Sequence, residues 1–104
     1  MERPREKGMH IAKNLKVLEW LKSEILDQVA GLYRYMMHGK YERAIDCLAS
    51  LTVAVYVMAR RIGFSFRDLE SAVLKKLREN VRDGHQMEEW YGDLSALDEY
   101  LNKR

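Results

Sequence analysis

Apolar residues recur along this chain at helical intervals, and in one stretch they fill almost the whole circumference. Ile11, Leu15, Leu18, Ile25, Val29, Leu32 and Met36 fall at steps of three, four and seven. That is one face of a long helix, about His10–Met37, and Gly39 is a suitable stop. The stretch AIDCLASLTVAVYVMARRIG, Ala44 to Gly63, comes next, with no charge between Leu51 and Ala59. Val53, Val55 and Val57 favour a strand by propensity. Three features favour a helix. The apolar run from Ile45 to Ile62 is too long for an ordinary strand. Tyr41-Glu42-Arg43-Ala44 is good helix material. Arg60 and Arg61 ahead of Gly63 make a cationic last turn and a glycine stop. The prediction is one helix, about Tyr41–Ile62. Being apolar nearly all round, it must be buried on most sides, by a tight bundle or by a partner subunit.

The loop His38–Lys40 is short, so these two helices should run antiparallel. Ser65 followed by Asp68 resembles a capping box with a shorter acid. Phe66, Leu69, Val73, Leu77 and Val81 predict a third helix, about Phe66–Val81. Asp83-Gly84 marks a turn. Met87–Tyr91 offers one more helical turn. Asp93 or Ser95 can cap a last short helix carrying Leu94, Leu97 and Leu101. Residues 1–9 have no apolar period and read as a flexible N-terminal arm. Residues 10–104 read as a single helical domain without repeats or linkers. The expected fold class is all-α: an antiparallel helical bundle with a short C-terminal helical extension.

Composition narrows the function classes. Of 104 residues, 47% are apolar and 33% charged, which suits a globular domain. A net charge of +2 argues against general attraction to nucleic acid or anionic membranes. Arg60, Arg61, Lys75 and Arg78 alternate with acids, so a nucleic-acid interface is not expected. The longest uncharged run, Cys47–Ala59, is shorter than the roughly 20 residues of a membrane span. MERPREKGMH has no apolar core, so no secretory leader is expected. The single cysteine, Cys47, fits a reduced cytoplasm.

Few residues could carry chemistry. Glu24 and Asp27 are three apart, on one helix face. Asp46 lies beside Cys47, with Ser50 a turn further on. Facing helices of a bundle build metal sites from such acids, and magnesium takes a few carboxylates plus phosphate oxygens. From the residues alone, a solvated helix face is the more ordinary explanation of Glu24 and Asp27. His10, His38 and His85 lack ligand spacing and read as surface or capping residues. Cys47 reads as a small inert hydrophobe, and Met36, Met37 and Met58 as filler. Trp20, Trp90 and Tyr91 could stack a base or pack in a core or interface. Glu88, Glu89 and Asp93 around Trp90-Tyr91 could serve a site or solvate a turn.

Three segments, CLASLTVAVYVMARRIGFSFRDLE, KKLRENVRDGH and EEWYGDLS, make the chain resemble the MazG-like proteins of the all-α NTP pyrophosphohydrolase superfamily. The resemblance covers about Leu21–Leu101. It implies magnesium-dependent cleavage of nucleoside triphosphates to monophosphate and pyrophosphate, with manganese as an alternative ion. It also implies a homodimer or tetramer built on a four-helix core. In that superfamily an E-x-x-E pair on one helix and an E-x-x-D pair on the next hold the metal. The first pair matches Glu24 and Asp27. The second falls on Cys47 and Ser50, with Asp46 one residue before. The resemblance therefore implies Glu24 and Asp27 as catalytic residues, and Glu24, Asp27 and Asp46 as metal ligands. Lys76, Asn80 and Arg82 loosely match a basic stretch that meets phosphate. The rival expectation is a catalytically inactive helical oligomer that binds a nucleotide or a protein.

Overall fold

In a computed structural model, the chain is described over residues 4–84 and 86–103. It is all-α, with no strand among the described residues. Five helices follow in order: α1 (Pro4–Met37), α2 (Tyr41–Arg61), α3 (Phe66–Arg82), α4 (Gln86–Tyr91) and α5 (Asp93–Asn102). The chain divides into two compact units, Met1–Phe64 and Ser65–Arg104. No single helix among the described residues is long and apolar enough to cross a membrane.

The first unit is a helical hairpin. Helix α1 begins six residues earlier than the apolar period suggests, because Pro4 stands at a first helical position. Proline suits that position, since its missing N–H would lack a helical partner anyway. Residues 4–9 of the expected arm are therefore helical. Gly39 turns the chain with φ +68°, which a residue with a Cβ adopts only at a cost. Lys40 N–H donates to the Tyr35 carbonyl at 2.8 Å and closes the end of α1. Helix α2 then runs antiparallel to α1: Tyr35 meets Arg43, Gly31 meets Cys47 and Asn14 meets Arg61. The Asn14 side-chain amide donates to the Arg61 carbonyl at 3.2 Å, satisfying one of the open acceptors that every helix end leaves. Gly63, at φ +107°, follows the end of α2 as the sequence predicts.

The seam of the hairpin is made of small residues. Ala44, Cys47, Ala54 and Ala59 are the buried positions of α2. Gly31 receives Cys47: a Cβ built on Gly31 would lie 3.2 Å from the Cys47 sulfur. Small side chains allow close helix approach but bury little apolar area. Leu21, 2% exposed, is the one large side chain buried in this unit among the described residues. The central helix was expected to be buried on most sides. Within this chain it buries one stripe, and Val53 and Val55 remain 63% and 42% exposed.

The second unit relies on polar links. The Ser65 hydroxyl accepts from Asp68 N–H at 3.0 Å, and the Asp68 carboxylate accepts from Ser65 N–H at 2.8 Å, the reciprocal capping box. These bonds hold the Asp68 carboxyl below its ordinary pKa. Leu77 is the buried centre of α3. Helix α5 is entered through Gly92 with no side-chain cap, so neither Asp93 nor Ser95 caps it as expected. Instead Glu88 of α4 reaches across and accepts from both the N–H (3.0 Å) and the hydroxyl of Ser95. Those bonds lower the Glu88 pKa. Arg78 of α3 faces Asp98 of α5 at 4.0 Å.

Candidate functional site

The antiparallel pairing of α1 and α2 fixes which side chains can meet. Running from the open end to the turn, Leu21 and Glu24 face the Ser50–Val57 segment. Gln28 faces Cys47 and Ser50, and Tyr35 faces Arg43. Two hollows follow this seam. The first, about 490 Å³, is lined by Trp20, Leu21, Glu24, Ala49, Ser50, Val53, Ala54 and Val57. Its wall is apolar apart from Glu24 and Ser50. The second, about 460 Å³, is lined by Gln28, Tyr35, Arg43, Asp46, Cys47 and Ser50. Its wall is mainly polar. Ser50 borders both.

Glu24 is half-buried in the first hollow, and Gln28 donates its side-chain amide to it at 2.8 Å. Since a carboxylate only accepts, the NH₂ end of Gln28 is the end turned toward Glu24. Asp27, one residue before Gln28, is exposed and lines neither hollow. Asp46 lines the second hollow and Glu24 the first. The structure therefore does not gather Glu24, Asp27 and Asp46 at one point. Among the described residues no three His, Cys, Asp or Glu side chains are placed to hold a metal ion together.

The facing positions on α2 explain why. Cys47 is 5% exposed and packed against Gly31, so it turns a small thiol toward α1 where a carboxylate would add charge. Ser50 is half-buried and brings a hydroxyl. A hard divalent ion depends on several charged oxygen ligands, and a thiol is poorly suited to magnesium. The donors in this groove do not fit a resident magnesium centre.

Lys76, Asn80 and Arg82 belong to the second unit, on α3. Lys76 and Asn80, four apart and exposed, share a face. Arg82 is two residues beyond Asn80, about 200° round the helix. It pairs with Asp83 at 3.5 Å. Arg82 therefore stands on another face of α3 than Lys76 and Asn80. His38 is exposed at the α1–α2 turn, and His85 lies outside the described residues. Trp90 and Tyr91 are exposed and meet edge to face at 6.4 Å.

Two contributors escaped the sequence reading. Gln28 was not singled out, although an amide one turn after Glu24 is a readable signal. Arg43 was counted only as helix material. Its guanidinium lies 5.9 Å from the Tyr35 ring centroid, a partnership that needs the hairpin pairing to be seen.

The family model of the MazG-like family matches residues 11–94, from α1 into the start of α5. No curated protein and no solved structure matches the chain.

Proposed function

The chain belongs to the MazG-like family, and from that premise we propose that it is a nucleotide-binding helical module, NTP pyrophosphohydrolase-like in fold, whose hydrolytic centre has eroded. The observation that supports this reading is the chemistry of the α1–α2 groove. Glu24 alone supplies an acid to the first hollow, and Ser50 and Cys47 stand opposite where further carboxylates would be needed. The preferred ligand is a nucleoside triphosphate that arrives with its own magnesium. Triphosphate oxygens then provide most of the cation's shell, and Glu24 adds one carboxylate. No bound ion is required of the free protein.

Calorimetry tests this. Magnesium alone should give no binding heat, whereas a magnesium–triphosphate complex should bind the parent and bind Glu24→Gln several-fold more weakly. A parent that binds no triphosphate contradicts the nucleotide reading. Restoration is best attempted at Ser50→Asp, which borders both hollows. Cys47→Glu would force a carboxylate into the tight Gly31 contact, with the cost of burying charge. If Ser50→Asp gains metal binding and pyrophosphate release that the parent lacks, the eroded-centre reading is supported.

A second reading concerns partners. The hairpin leaves Trp20, Ile45, Leu48, Val53 and Val55 exposed on helices with almost no large buried side chain. Apolar surface of that kind marks an interaction face. We propose self-association of the hairpin, as a homodimer or tetramer in the cytoplasm. Sedimentation velocity at low micromolar concentration checks it, and a folded monomer there contradicts it.

A further inference from the structure

The second hollow has a chemistry that the proposed catalytic history does not use. It is lined by Tyr35 and Arg43, whose guanidinium lies over the Tyr35 ring, 5.9 Å from the ring centroid. Both groups are flat, and both are surfaces on which nucleobases stack. Asp46, Gln28 and Ser50 also line it. The ionised Asp46 carboxylate only accepts hydrogen bonds. The NH₂ end of Gln28 is engaged by Glu24 at 2.8 Å, which leaves its carbonyl oxygen as a second acceptor. The hollow therefore offers flat surfaces for stacking and two acceptors, Asp46 and the Gln28 carbonyl, beside them. It shares Ser50 with the hollow that holds Glu24, so it lies one step along the same groove.

We propose that this hollow receives the base of the bound nucleotide and selects bases that carry an exocyclic amine. The inference rests on the nucleotide-binding reading above and names its base specificity. An amine of adenine or cytosine donates to Asp46 or to the Gln28 carbonyl. A carbonyl at the same ring position, as in hypoxanthine or uracil, turns an acceptor toward those acceptors and cannot make that bond. The amine therefore gains a hydrogen bond that the carbonyl lacks, and that difference produces the discrimination. Tyr35 and Arg43 stack any base and add affinity without choice.

The test is titration of the ¹⁵N-labelled full chain, followed by amide shifts, with matched magnesium nucleotides: ATP against ITP, and CTP against UTP. Each pair differs chiefly by an amine replaced with a carbonyl. The amine-bearing member should bind about tenfold more tightly, the discrimination typical of one good base contact. The shifts should centre on Gln28, Tyr35, Arg43 and Ser50. Asp46→Asn, at an exposed position that does not disturb the seam, should bring each pair to within about threefold. Tyr35→Ala should weaken all four nucleotides together. Equal affinity within both pairs, or a preference untouched by Asp46→Asn, overturns this inference while leaving nucleotide binding intact. Absence of binding by all four overturns both.

Discussion

The hairpin and the three-helix unit hold themselves together by different means. The hairpin joins two long helices through small residues, Gly31 against Cys47 with Ala44, Ala54 and Ala59 along the seam. Its N-cap at Lys40 makes no side-chain bond, and its larger apolar groups face outward. The second unit has Leu77 as its one buried residue among those described. It is pinned by bonds from Asp68, Glu88 and Asp98. Close packing of small side chains joins the first region, and carboxylates tie the second. The two should therefore fail under different challenges.

The largest effect is expected at the outward face of α2. Val53→Asp/Val55→Asp places charge on a surface proposed to be covered by a second copy, where an unpaired charge costs several kcal/mol. Sedimentation should show loss of the oligomer, and the melting temperature should lose its dependence on protein concentration. An unchanged oligomer would show that this face is not the interface. Val55 is not part of this chain's own core, so the damage should come through association.

The seam comes next. Gly31→Val should destabilise by about 1–3 kcal/mol in urea unfolding, the usual cost of overpacking. In the Gly31→Val/Cys47→Ala pair part of that loss should return, because the sulfur 3.2 Å from the new Cβ is gone. Strict additivity would argue that the two do not touch.

Much of this was readable before the structure. The three-and-four spacing of Ile11 to Met36 and of Phe66 to Val81 announces α1 and α3, because burial of one face selects that period. Ser65 with Asp68, and Gly39 and Gly63 at helix ends, are local signals that the structure keeps. What escaped depends on contacts between elements. Glu88 replaces a local cap by reaching seven residues ahead to Ser95. Arg43 gains its meaning only opposite Tyr35. At the candidate site, the positions of Glu24, Cys47 and Ser50 could be named from a family pattern. That Asp27 is exposed while Gln28 lines the groove depends on how α1 is rotated against α2.

Smaller effects are expected in the second unit. Ser65→Ala should cost about 1 kcal/mol, the usual loss of an N-cap, and circular dichroism during urea unfolding measures it. The pH response is the gentlest test. Asp68 and Glu88 have folded pKa values below their ordinary ones. Their contribution is therefore complete above the ordinary carboxylate range and is lost as pH falls from that range through the lowered values. Hydrogen-exchange protection in α3 and α5, taken relative to the intrinsic rate at each pH, should fall over that acid window in the parent. Glu88→Gln should reduce that fall around α5. An identical acid profile in the variant would remove Glu88 from the account.

On the proposal made above, this member of the MazG-like family keeps the fold and a nucleotide groove without a complete hydrolytic centre. Phosphorus NMR of ATP, CTP, GTP and UTP, each with magnesium and then manganese and micromolar protein, tests it most directly. The three triphosphate resonances should persist at the rate of the protein-free control. Growth of monophosphate and pyrophosphate resonances, abolished by Glu24→Gln, would contradict it.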